Sequence, residues 1–154
     1  MGRWSCIISP FIFLPKRQVK GMAYLDKIFL VLGNLNSREV DVYDDIIMYA
    51  TDNNVGEIYL KLKHGNKYLG RNDIEDYEIT MDLVKPSGAT KSLIGMFDEE
   101  MELFKVEIDN TCRDEIGTYG CDVKVVHNNK TLTLDSFEYI VKGDIKSLRK
   151  KVQE

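Results

Sequence analysis

A chain of 154 residues is long enough for one domain with a substantial core and short for two. At 44% hydrophobic and 30% charged residues it has an ordinary globular composition, which excludes a disordered or collagen-like chain. The formal net charge of -4 lacks the basic balance of a general nucleic-acid binder, so no nucleic-acid partner is expected.

The N-terminus imitates a targeting segment. Arg3 precedes an apolar stretch from Cys6 to Leu14, interrupted by Pro10 and closed by Pro15, Lys16 and Arg17. Ala-x-Ala cleavage chemistry does not follow, and the apolar run is too short to span a bilayer, so membrane insertion is not expected. Residues 1–21 read as a loosely attached extension, with Met22 as a candidate start, and residues 22–39 as a lead-in segment. The β domain is expected over residues 40–142.

From residue 40 onward the dominant period is two, that of a strand. Val40 to Tyr49, with Asp44 and Asp45 in its middle, reads as two short strands or one that bends between sheets. Ile58, Leu60 and Leu62 share one face of the next run, while Lys61 and Lys63 take the other. Tyr77, Ile79, Met81 and Leu83 alternate with polar residues in the same way, as do Phe104, Val106 and Ile108, and then Tyr119, Cys121, Val123 and Val125. One apolar and one charged face is the pattern of an antiparallel sheet packed on one side.

Turn chemistry separates these runs. His64-Gly65-Asn66 closes one strand, and Pro86-Ser87-Gly88 suits a type I turn. Asn128-Asn129 is a two-residue hairpin turn, because asparagine tolerates positive φ. Beyond it the phase changes: Leu132 and Leu134 are even, whereas Phe137, Tyr139 and Val141 are odd. A bulge near Asp135-Ser136 would return all five to one face. About seven strands with turns at short intervals give the expected fold class: all-β, an immunoglobulin-like antiparallel β-sandwich. Residues 143–154 switch to helical spacing at Ile145, Leu148 and Val152, with Asp144 first and Arg149, Lys150 and Lys151 late, as the helix dipole prefers.

The candidates for chemistry are thin. The chain has no Gly-x-Ser-x-Gly, phosphate-loop, His-Glu-x-x-His or Gly-x-Gly-x-x-Gly motif. His64 and His127 flank turns and read as exposed turn residues. Three cysteines, Cys6, Cys112 and Cys121, do not make a disulfide framework, and reduced structural thiols are expected. The acidic groups Asp73, Glu75, Asp76 and Asp98, Glu99, Glu100 fall between strands. The first is where a metal would sit if one bound, but no metal, cofactor or catalytic residue is expected, and the protein is not expected to be an enzyme. Tyr59 is the aromatic that falls on a charged face, so Tyr59 and the nearby Tyr68 are candidate contacts for a partner or ligand. Ile145, Leu148 and Val152 are candidate contacts with another subunit.

The order of these signals resembles a known family. Thr51-Asp52-Asn53-Asn54-Val55-Gly56, followed by the strand Glu57-Ile58-Tyr59-Leu60, looks like the opening of the phage baseplate upper protein N-terminal domain. Leu83-Val84-Lys85-Pro86-Ser87-Gly88 is similar to its next landmark, a strand ending in Lys-Pro-x-Gly. Ile116-Gly117-Thr118-Tyr119-Gly120, a hairpin, and Ser136-Phe137-Glu138-Tyr139-Ile140-Val141 resemble its close. Where the family has a central Asp-x-x-x-Gly turn, Phe97-Asp98-Glu99-Glu100-Met101-Glu102 supplies the aspartate and no glycine. The resemblance implies a virion tail component assembled in the host cytoplasm: a β-sandwich that docks in the baseplate and supports receptor-binding parts. It also implies self-association as a trimer or higher oligomer, and other tail proteins as partners. The competing reading is a carbohydrate- or protein-binding sandwich for host-surface attachment, centred on Tyr59 and Tyr68; a carboxylate-dependent hydrolase is a more distant one.

Overall fold

The structure, a computed structural model, describes residues 27–53 and 56–143. The expected helix with Ile145, Leu148 and Val152, and the extension over residues 1–21, lie outside these residues.

The described residues are mostly strand. In chain order they form β1 (Ile28–Asn34), β2 (Val40–Val42), β3 (Ile47–Tyr49), β4 (Glu57–His64), β5 (Lys67–Tyr68), one helical turn α1 (Arg71–Ile74), β6 (Glu78–Val84), β7 (Thr90–Asp98), β8 (Leu103–Glu107), a 3-10 turn at Asn110–Cys112, β9 (Gly117–His127), β10 (Lys130–Thr133) and β11 (Phe137–Lys142). Nine of them make one hydrogen-bonded path, β2-β1-β4-β8-β7-β6-β9-β11-β3, with β5 added at β4 and β10 at β9. The path is an open sheet that curls, because inward residues from both of its halves meet in a single core. Val31, Ile58, Leu60, Leu62, Phe104 and Val106 come from one half, and Met48, Ile79, Met81, Leu83, Tyr119, Val123 and Tyr139 from the other. Burying each of these side chains stabilises the fold by roughly 1.5–3 kcal/mol before entropy is counted.

β7 carries the curl. Its first six residues, Thr90 to Gly95, pair with β6, and Met96 to Asp98 pair with β8. Gly95 stands at the crossing, where a Cβ would lie 3.1 Å from two carbon atoms of Ile79. The absent side chain lets the strand pass that close to its neighbour.

The alternating runs occupy the core as their period requires. Asn128 and Asn129 have φ of 51° and 63°, the two positive dihedrals of a type I′ turn, and His127 pairs with Lys130. Gly88 donates to Lys85 O at 2.8 Å, closing the turn that contains Pro86. Thr133 pairs with Lys124 and Phe137 with Cys121, so the returning chain carries one residue more than β9 across the phase change. That extra residue puts Leu134, Phe137, Tyr139 and Val141 on the same buried face.

Three features differ from the expectation. There are eleven strands among the described residues where about seven were expected. Two strand pairs, β1 with β4 and β3 with β11, are parallel, so the sheet is not purely antiparallel. The sheet also begins before residue 40, since β1 lies in the segment read as a lead-in and pairs with β4 along its whole length. β1 has apolar residues on both faces, Phe29 and Val31 inward and Ile28, Leu30 and Leu32 outward, which leaves no alternation to read. β2, β3, β5 and β10 are two to four residues long, too short to show a period.

Candidate docking surface

The outer face of the sheet decides what other molecules can meet. On the β1–β4–β8 half, Leu30 pairs with Tyr59 and Tyr59 with Lys105. Leu30, Tyr59 and Leu103 form a second, smaller apolar cluster, with Ile28, Leu32 and Met101 packed against it. Tyr59 is only 3% exposed. The expectation of an exposed aromatic platform there does not hold, because apolar neighbours on β1 and β8 flank the tyrosine on the face that β4 alone presents as charged. Lys61 shares this face; burial lowers its pKa, opposed by the nearby Glu102 carboxylate.

Tyr68, at the end of the β4–β5 hairpin, is half-buried, and the ammonium groups of Lys61 and Lys63 each stand 5.8 Å from its ring centroid. A ring engaged by two cations is a poor sugar platform. The structure therefore does not bring Tyr59 and Tyr68 together as one exposed aromatic surface.

Apolar exposure lies elsewhere. Ile94 and Met96, successive outward residues of β7, are 74% and 65% exposed. They border a groove of about 410 Å³ with Glu75, Tyr77, Glu78 and Phe97 on its walls. At the far end of the path Ile47 pairs with Ile140, and both are exposed together with Tyr49. Ile94 and Met96 escaped the sequence reading because β7 is apolar on both faces, with Leu93 and Phe97 packed on the core, which leaves no alternation to read.

Buried polar groups are built for structure. The Arg113 side chain, 1% exposed, donates from Nη1 to Ile108 O at 2.9 Å and from Nε to Asp52 O at 3.3 Å. It thereby ties the Asp52 loop to the end of β8. Tyr119 and Tyr139 stack with centroids 4.8 Å apart, and the Tyr139 hydroxyl donates to Cys112 O at 2.5 Å. Burial pushes the Cys121 thiol up to about 12 and raises the Cys112 thiol, so both stay protonated and un-nucleophilic at neutral pH. Both are free thiols. His127 Nε2 lies 3.0 Å from Asp76 Oδ2 and its ring packs on Tyr77, an arrangement that fixes a loop. The Asp73 carboxylate accepts from Gly70 N at the start of α1. Among the described residues there is no group of three His, Cys, Asp or Glu side chains placed to hold a metal. No described helix is long and apolar enough to cross a membrane.

In fold, the chain is similar to the N-terminal domain of phage TP901-1 ORF48. The TM-score is 0.51 at 12% sequence identity, over 75% of this chain and 98% of that chain. At that identity the likeness is one of fold. No family model matches the chain, and no curated protein does. The two surfaces just described are thus the outward features of a sheet shared with a phage protein's domain. The Asp98 turn closes without a glycine. Asp98 Oδ1 accepts from Glu100 N and Met101 N, and Glu102 itself takes the left-handed conformation with φ 58°.

Proposed function

We propose that this protein is a structural component of a phage tail or baseplate, a β module that docks among other tail proteins and supports receptor-binding parts. The observation that carries the proposal is the likeness of its fold to the N-terminal domain of phage TP901-1 ORF48, which spans nearly all of that chain. The turn motifs that resemble the baseplate upper protein N-terminal domain point the same way from sequence, by a separate route. The proposal includes a place in the virion, assembly in the host cytoplasm, self-association as a trimer or higher oligomer, and no catalytic activity.

The proposal also takes the curled sheet as a form of the immunoglobulin-like sandwich. Support comes from Tyr119, two residues before Cys121 at the start of β9, whose hydroxyl accepts from Glu115 N at 3.0 Å and donates to Asp114 Oδ1 at 3.2 Å. A tyrosine bonded back to the chain a few residues upstream is the corner found in such sandwiches. Attachment through an aromatic sugar platform loses its support with Tyr59 buried and Tyr68 held by lysines.

A stop codon placed early in the reading frame of the phage that carries it tests the role. The proposal expects filled capsids with missing or incomplete tails, restored when the protein is supplied in trans. Undiminished plaque formation by the stop mutant would contradict it.

A further inference from the structure

The groove beside β7 joins apolar exposure to unmatched negative charge. Ile94 and Met96 stand out from the sheet, with Tyr77 and Phe97 beside them. Glu75 and Glu78 line the same groove, and among the described residues neither takes part in an ion pair. The nearby basic side chains already have acidic partners. Lys105, the partner of Met96 across the strands, lies 3.7 Å from Glu57 and 3.9 Å from Glu107, and His127 faces Asp76. The groove therefore fits an apolar segment that carries positive charge.

This chain has such a segment. Residues 144–154 place Ile145, Leu148 and Val152 at helical spacing and carry Lys146, Arg149, Lys150 and Lys151 against two carboxylates. The strand that precedes them ends away from the groove. β11 finishes where Val141 pairs with Gly117, whereas Ile79, in the groove, pairs with Val125. Those two levels of β9 are eight residues apart, about 26 Å along the strand. Eleven residues in a helix span only about 16 Å.

We propose that the groove between β6 and β7 receives residues 144–154 of a second copy of this chain. The apolar positions Ile145, Leu148 and Val152 seat on Ile94 and Met96, and Arg149 and Lys150 face Glu75 and Glu78. The contact is an amphipathic segment laid in an apolar groove. Because each copy gives a tail and offers a groove, two copies can exchange tails reciprocally, or the contact can continue head to tail as a ring or chain of copies. This inference does not depend on the phage reading.

The test is molar mass in solution, by sedimentation, for the full chain and two single variants over a wide range of concentration. The unaltered chain self-associates and weakens as salt is raised, since ion pairs at the rim are screened. Met96→Asp removes the groove and Leu148→Asp removes the tail, and each weakens association about tenfold or more, because a carboxylate must be buried against apolar surface. The two variants mixed give a one-to-one pair, since one carries an intact groove and the other an intact tail. Ile94→Asp is a second groove variant should Met96→Asp fail to give the melting curve of the unaltered chain. A chain that stays monomeric throughout, variants that associate like the unaltered chain, or a mixture that stays monomeric would each overturn the proposal. A monomer would also remove self-association from the tail-component reading, and would leave its docking among other virion proteins standing.

Discussion

Arg113 shows how a single residue holds distant segments together. Its guanidinium is buried and donates to carbonyls on either side, at Asp52 and Ile108, and to Asn110 Oδ1. Truncation to alanine strands those acceptors without water, and an unsatisfied buried polar group costs about 1–3 kcal/mol. Arg113→Ala is expected to lower stability by about 2–4 kcal/mol in urea titration, with an unchanged slope. Tyr59→Ala is expected to cost about 3–5 kcal/mol in the same titration, because it empties the centre of the outer cluster. Had Tyr59 been the exposed platform expected from the strand's charge pattern, the change would be nearly neutral. The thiols give a third expectation. Iodoacetamide at pH 8 should leave Cys112 and Cys121 unmodified in the folded protein and label both in denaturant, read by peptide mass spectrometry. Labelling of either in the native state would contradict the burial that raises both thiols.

Carboxylates set the acid limit. The hydroxyl of Ser92 and the ammonium of Lys124 hold Asp82 below the ordinary carboxylate range, and the Thr111 hydroxyl does the same for Asp109. At Asp114 burial works upward, but Lys85 and the Tyr119 hydroxyl outweigh it and the net shift is downward. A lowered folded pKa contributes stability above the unfolded value, about 3.9, and that contribution fades as pH falls through the folded values. The urea midpoint is therefore expected to drop below about pH 4, and less steeply in Asp82→Asn. The effect per group is small, since these carboxylates are largely in water.

At the scale of elements, how much could be read depended on whether a strand has one face or two. β4, β6, β8 and β9 bury one side and wet the other, so Ile58, Met81, Val106 and Val123 announced themselves by period. The hairpin at Asn128-Asn129 and the turn at Pro86 were readable because their dihedrals demand those residue types. β1 was not, being apolar on both sides, and neither was the parallel pairing of β1 with β4, which is a long-range choice that no local pattern encodes. The buried state of Tyr59 follows from that omission, since Leu30 of β1 is its neighbour across the strands. Gly117 marks another element boundary. It enters β9 with φ +139°, and a Cβ there would lie 3.0 Å from Pro86 of the facing turn. Gly117→Ala combines a backbone conformation that side chains disfavour with a contact against a rigid ring. It is expected to lower the melting temperature by several degrees, through a loss of about 1–3 kcal/mol.

At the scale of the molecule, the sheet is open at both ends of its path, and the two ends differ. β2 presents Asp41 between Val40 and Val42, followed by Asp44 and Asp45, a charged edge of the kind that discourages pairing. β3 presents Ile47 and Tyr49 beside Ile140 of β11. Together with Ile94 and Met96 these give the molecule two separate apolar outer patches. An element of a larger assembly would use such surfaces against its neighbours. The fold itself does not assign that role, since one architecture serves many functions.

The most direct measurement is the protein content of the virion. Particles of the phage that encodes this chain, purified on a density gradient and separated into heads and tails, would be digested and analysed by mass spectrometry. The account predicts peptides from the chain in the tail fraction at a fixed ratio to the other tail proteins, in every preparation. Their absence from purified particles, with the protein abundant in the infected cell, would contradict it.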